Sequence, residues 1–236
     1  STRYLLLGSV MKKANVAIDG FAGSGKTTVA VELARQLELV YLDTGLMYRA
    51  VALECMREGL DTSSDALLAD LVQRFDLKIE VLAKPHPTCR MILNQQDVTE
   101  ELHDPRVNAL VPRVASCSAV RRELVARQQE FAQRGGVVMV GRDIASVVLP
   151  DAEVKIFLAA DLAERARRRA LELGAKGKHL TQQEVETELS HRDKIDSERA
   201  DSPLICVQDA RQIDTTGRTV DEIVGEIAGW VRCGSI

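Results

Sequence analysis

Gly20-Phe21-Ala22-Gly23-Ser24-Gly25-Lys26-Thr27 follows the apolar run Val16-Ala17-Ile18 and precedes a helical pattern with Val29, Ala30, Leu33, Ala34 and Leu37 on one side. The spacing G-x-x-x-x-G-K-T between a strand and a helix start is that of a phosphate-binding loop. Gly20, Gly23 and Gly25 let the backbone bend so that successive N–H groups point inward at an anion. The helix N-terminus adds the positive end of its dipole. Lys26 can reach the β- and γ-phosphates of a nucleoside triphosphate, and the Thr27 hydroxyl can ligate Mg²⁺. The intact flanking pattern argues against a tight turn that merely happens to carry a lysine.

Outward from this loop, strand and helix signals alternate. Leu39-Val40-Tyr41-Leu42 reads as a strand, Asp43-Thr44-Gly45 as a turn, and a helical run follows to Arg57-Glu58 with Gly59 at its C-terminal cap. Ser63 or Ser64 can cap a helix through Leu67, Leu68, Leu71 and Val72. The rhythm then breaks: Leu77, Ile79 and Val81 alternate with polar residues, Lys84-Pro85-His86-Pro87 turns the chain, and Cys89 to Leu93 returns. Asp104-Pro105 reads as cap and first residue of a helix, and Ser118 opens another that runs toward Gly135-Gly136. Val137 to Val140 and Val154 to Leu158 are short apolar strands suited to a buried parallel sheet. Thr219-x-x-Glu222 opens the last helix, with Ile223, Val224, Ile227 and Trp230 inward. The fold expected is α/β, a three-layer parallel sheet with a β-hairpin and helices inserted at about 70–120.

The chain of 236 residues, 45% hydrophobic, can bury its core as a single domain. A net charge of −4 argues against nucleic acid as the main partner. Cys55, Cys89, Cys117, Cys206 and Cys233 lack C-x-x-C spacing and suit reduced thiols in a cytoplasmic protein. No apolar stretch approaches the ~20 residues that cross a bilayer, so no membrane partner is expected. Residues 1–10 are set aside as a loose arm or cloning remnant ahead of Met11-Lys12-Lys13, leaving 11–236 as the domain. A monomer is the default expectation.

The loop alone does not choose among kinases, GTPases and motor ATPases. The arginines narrow the choice, because phosphoryl transfer is mostly positioning and charge neutralisation. Gly141-Arg142-Asp143 directly follows an apolar strand and therefore sits at the carboxyl end of the sheet, where α/β proteins bind ligands. For Arg165, Arg168 and Arg169 a solvated helix face is the ordinary explanation, with a phosphate role for one of them as the competing one. Thr181-x-x-Glu184 caps a helix on which Val185, Leu189, Arg192, Asp196 and Arg199 share one face. An inward stripe that turns from aliphatic to Arg/Asp/Arg faces either a ligand or an ion network; a surface salt-bridge ladder is the alternative. With Gly174-Ala175-Lys176-Gly177-Lys178 before it, the helix reads as a mobile lid over about 174–200. Another small-molecule phosphotransferase would share the loop. A GTPase-type switch would need a guanine-reading N-K-x-D, which the sequence lacks.

The strings G-F-A-G-S-G-K-T-T, Y-L-D-T-G-L-M-Y-R-A, Q-D-V-T-E, A-V-R-R-E-L, G-R-D-I-A-S-V-V-L-P-D-A-E-V-K-I-F-L and H-R-D-K-I-D-S-E-R-A-D-S-P-L together resemble the bacterial cytidylate kinases, from about Asn15 to Val231. That resemblance implies transfer of the ATP γ-phosphoryl group to CMP or dCMP with Mg²⁺. It implies a donor site of Gly20, Gly23, Ser24, Gly25, Lys26, Thr27, Thr28 and Arg165, with Thr27 on the metal. Thr44, Tyr48 and Arg49 fall in the implied acceptor site, where Arg121 and Asp143 contact cytosine and Arg142 stays near the acceptor. Arg192, Asp196 and Arg199 match residues that hold the CMP phosphate and sugar, and Lys26, Arg142 and Arg192 are the implied catalytic cations. No general base is implied, since a nucleoside monophosphate already presents an ionised oxygen. Four positions depart from the pattern: Pro112 for a base-contacting Ser, Val140 for an Asp, Ala145 for Gly and His103 for Arg.

Overall fold

Val16–Gly20 (β1) lies at the centre of a five-stranded parallel sheet in the computed structural model, which describes residues 13–82, 88–175, 177 and 180–233. The chain proceeds through Lys26–Leu37 (α1), Val40–Asp43 (β2), Gly45–Glu58 (α2) and Asp65–Arg74 (α3). Leu77–Leu82 (β3), Thr88–Leu93 (β4) and Gln96–Asp97 (β5) form a separate antiparallel sheet. Pro105–Ser116 (α4), Ser118–Ala132 (α5), Val137–Val140 (β6), Val154–Ala159 (β7) and Leu162–Ala175 (α6) come next. Gln182–Glu198 (α7), Arg211–Asp214 (β8) and Val220–Cys233 (α8) complete it.

The parallel order is β2-β6-β1-β7-β8. Side chains alternate between two buried faces, as the strand period requires. Val16 and Ile18 join Val138, Val140, Ile156 and Leu158 against α1 and α8. Ala17, Leu42, Val137 and Met139 join the opposite core with α2, α3 and α5. Burial on both faces makes these strands near-continuous apolar runs. Each fully buried side chain such as Ile18, Leu33 or Leu42 contributes roughly 2 kcal/mol relative to exposure.

The β3–β4–β5 sheet packs Met91, Leu93 and Val98 into the core that holds α2, so the insertion shares the main body's interior. The turn expected at Lys84 to Pro87 lies outside the described residues, as do the segment before Lys13 and the lysines at 176 and 178. Caps fall where local chemistry places them. Ser64 accepts from the Leu67 N–H, Asp104 from the Arg106 N–H, and Thr181 and Thr219 make reciprocal bonds with Glu184 and Glu222. Gly59 ends α2 at φ 63°. α4 continues through the exposed Pro112 to Ser116.

Three features differ from the sequence reading. β8 is an additional edge strand with only Ile213 buried, too short to show an alternating pattern. Ile144–Val148 forms a wide helical turn directly after Asp143. α7 stops at Glu198, and Arg199 stands just beyond it with extended ψ of 139°, so it reaches the site from a turn and not from the helix face.

Candidate active site

The donor loop is shaped by close packing. Gly20 has φ 145°, and a Cβ there would meet the Leu158 carbonyl oxygen at 2.0 Å, so only glycine fits. Every loop carbonyl from Gly20 to Ala22, and that of Ser24, accepts a hydrogen bond. Lys26 Nζ donates to Gly20 and Phe21, Arg165 Nη1 to Ala22 at 3.0 Å, and Thr215 Oγ1 to Ser24 at 3.2 Å. Tying the carbonyls back is what a nest of inward amides needs. Lys26 is buried, and desolvation followed by the charges of Arg142 and Arg192 holds its pKa well below the usual lysine range. Thr27 and Thr28 are exposed on the first turn of α1, and Ser24 is buried behind them.

Across the sheet ends, Thr44 is buried and donates its hydroxyl to the Val140 carbonyl at 2.9 Å. Gly141 permits that approach, since a Cβ there would stand 2.7 Å from Thr44 Oγ1. Arg49 donates to Asn108 at 2.9 Å and pairs with Asp43 at 3.5 Å. Arg121 and Asp143 form an ion pair with side chains 4% and 7% exposed, and the Arg121 guanidinium lies 5.5 Å from the Tyr48 ring centroid. Arg142 donates to Asp196 at 2.9 Å, and Asp196 also lies 3.7 Å from Arg199. Arg192 reaches the same region from α7. Burial among its neighbours, then the Arg142 charge, pushes its pKa down to about 10. It retains solvent access and stays a cation at neutral pH. Burial, then Arg121, lowers Arg199 from the usual arginine range.

The structure thus brings Arg142 and Arg192 close enough to Lys26 to act on its charge, and it clusters Tyr48, Arg121 and Asp143. Arg121 Nε and Arg199 Nε are buried without a hydrogen-bond partner. Orphaned buried donors cost stability unless something polar meets them. A cluster of cations with unpaired donors suits an anionic, polar ligand.

Arg165 proves buried, stacked 5.2 Å from the Phe21 ring and paired with Asp193, so it is not part of a solvated face. Arg168 instead braces Thr215, and Arg169 pairs with Glu172 on the surface. Two acids escaped the sequence reading. Asp19 accepts from the Ile144 and Ala145 N–H groups at 2.9 and 2.7 Å, fixing the turn that carries Arg142 and Asp143. Burial pushes its pKa up to about 6. Asp193 accepts from the Ala22 N–H. A carboxylate inside an apolar strand next to a phosphate-binding loop is the signal that marks Asp19. Asp193 has none, because its neighbours on the helix look like any charged run.

The family model described as cytidylate kinase matches residues 16–232. The chain is 46% identical to a cytidylate kinase of Pelotomaculum thermopropionicum over 93% of its own length and 96% of the relative's. It is 44% identical to a cytidylate kinase of Bacillus velezensis over 92% and 95%. The chain belongs to the cytidylate kinase family. As a member it is an ATP-dependent phosphotransferase acting on CMP. The match takes in the donor loop, the inserted hairpin and α7 alike. The fold itself also appears in a crystal structure of an uncharacterized protein from Eubacterium ventriosum, with a TM-score of 0.54 at 14% identity over 94% of this chain and 99% of that one.

Proposed function

We propose that this cytidylate kinase moves the γ-phosphoryl group from ATP at Gly20–Thr28 to the phosphate of CMP or dCMP held between α2, α5 and α7. The observation that carries the reading is the pair of buried unpaired guanidinium donors, Arg121 Nε and Arg199 Nε, beside the Asp143 carboxylate. Cytosine offers an amino donor to Asp143, and its carbonyl and ring-nitrogen acceptors to Arg121. Uracil would set a carbonyl against the carboxylate. Pro112 has no hydroxyl to add, which leaves base selection to that pair. Thr44, Tyr48 and Arg49 line the acceptor side, and Arg192, Asp196 and Arg199 close over its phosphate and sugar.

An acceptor phosphate oxygen attacks the γ-phosphorus in line, the bond to the β-γ bridging oxygen breaks, and ADP leaves. Lys26, Arg142 and Arg192 neutralise the charge spread over the transferring group. No side chain needs to remove a proton. Thr27, a hard hydroxyl donor exposed at the loop mouth, fits Mg²⁺. Both Asp19 oxygens are taken by backbone amides, and Val140 offers only a carbonyl already bonded to Thr44. Among the described residues no cluster of three or more His, Cys, Asp or Glu would hold a metal alone. Mg²⁺ would therefore be held by Thr27 together with the triphosphate, and when bound it supplies charge neutralisation on the phosphates. No helix among the described residues is long and apolar enough to cross a membrane; a cytoplasmic monomer without nucleic-acid partners completes the proposal. ADP release measured against CMP, dCMP, UMP and AMP tests it.

A further inference from the structure

Ala22, in the middle of the donor loop, is gripped on three sides by α6 and α7. Its methyl is buried with Ala166, Leu173, Val185 and Leu189. Its carbonyl accepts from Arg165 Nη1 at 3.0 Å, and its N–H donates to Asp193 Oδ1 at 3.2 Å. Arg165 and Asp193 close the ring with an ion pair at 2.5 Å, side chains 7% and 13% exposed. Arg165 also donates through Nε to the Ala160 carbonyl at 3.0 Å. The next residue is held by the same arginine: a Cβ on Gly23 would stand 3.2 Å from Arg165 Cβ.

From this geometry we infer that Arg165 and Asp193 act together as positioning residues, a clamp that sets the backbone of the donor loop and couples it to the helix bearing Arg192. Arg192 faces the acceptor side while its neighbour Asp193 faces the donor loop, so one turn of α7 touches both halves of the reaction. The clamp acts on the nucleotide through Ala22, and Arg165 does not itself contact it. Two other roles for these groups are set aside by the packing. Were Asp193 a blocking anion in a phosphate position, it would meet an amide aimed at the open mouth. Ala22 is instead only 4% exposed and faces the apolar lid core. Were Arg165 a direct phosphate contact, its guanidinium would not be spent on two backbone carbonyls and a carboxylate. The clamp presupposes that residues 20–27 bind the donor nucleotide.

The test is binding of MgADP by titration calorimetry, without acceptor, to the wild type, Asp193→Asn, Arg165→Met and the double variant. Asp193→Asn keeps the shape and removes the charge, so the pair loses one charged hydrogen bond and affinity should fall by about tenfold or more. The double variant should bind no more weakly than the weaker single, because the two residues act as one unit. Asp193→Asn should keep the wild-type circular dichroism spectrum, which a general loss of structure would not allow. Should Arg165→Met fail to fold, Arg165→Lys, which cannot span both carbonyl and carboxylate, takes its place. Asp193→Asn that binds MgADP as tightly as wild type or more tightly overturns the clamp, as does additive weakening in the double variant. A wild type that binds no MgADP would overturn instead the donor-loop assignment on which the clamp stands.

Discussion

Replacing Asp143 by Asn tests the charge proposed to read the base. Asp143 is 5% exposed and its partner Arg121 4%, so water cannot compensate for either. Asn keeps a carbonyl facing Arg121 Nη2 but carries no charge, so the buried guanidinium stays a cation without its counter-charge. Removing one charge of a buried ion pair costs about 3–5 kcal/mol, of which the carbonyl that Asn keeps recovers part. The ligand-free enzyme should therefore lose about 2–4 kcal/mol, a fall in Tm of roughly 4–16 °C for a chain of this size. Catalysis should suffer more selectively. CMP loses a charged acceptor for its amino group, so kcat/KM should drop by about 10–100-fold. UMP gains, because the Asn amide can turn its N–H₂ toward the uracil carbonyl. The CMP-to-UMP preference should collapse by at least tenfold, the scale of one charged contact. Steady-state ADP release over both acceptors reads this directly. A variant with the expected Tm loss but an undiminished preference would refute the assignment of Asp143 to the base.

Three further expectations follow from the same geometry. Lys26→Ala should keep a wild-type circular dichroism spectrum and lose about 10²–10³ in ADP release, the usual effect of removing one preorganised charge contact; near-normal release would contradict its role. The Asp19 carboxyl, pushed up to about 6 by burial, keeps its proton in the folded protein after the unfolded chain has lost it at the usual 3.8. Its stabilising share is therefore complete below pH 3.8 and is lost as pH rises through about 6, amounting to about 3 kcal/mol. Asp19→Asn should flatten that part of a Tm-against-pH curve, and an unchanged slope would mean the carboxyl is not held as described. Hydrogen exchange across α7 and Arg199 should slow when CMP and an ATP analogue are added together, since bound phosphates supply the interaction that favours closure. Full protection without ligand would make α7 a static helix.

The loop, the order of the main strands and the helix caps were legible because each rests on residues close in sequence. A glycine spacing between a strand and a helix, a Thr-x-x-Glu box and an Asp-Pro start carry their structural meaning locally. The residues proposed for the acceptor side were named from the sequence, yet their partnerships were not. Arg121 with Asp143 and Arg142 with Asp196 join residues far apart in the chain, and only the packing of α5 and α7 against the sheet end brings them together. The burial of Arg165 was hidden for the same reason: within Glu164 to Arg169 nothing distinguishes the buried guanidinium from its exposed neighbours. β8 went unseen because an edge strand with one inward side chain has no period to detect. Val140 is buried in the core and serves through its carbonyl, and Ala145 serves through its N–H at ordinary backbone angles.

The central claim is that a cytosine-reading pocket stands opposite an ATP loop in one phosphotransfer site. The most direct measurement is kcat/KM for ADP release with saturating MgATP and each of CMP, dCMP, UMP and AMP as acceptor. CMP or dCMP should lead UMP by at least about a hundredfold, as expected when a buried polar group is left unmatched by the wrong substrate, with AMP slower still. Equal efficiency on UMP, or a preference for AMP, would contradict the account.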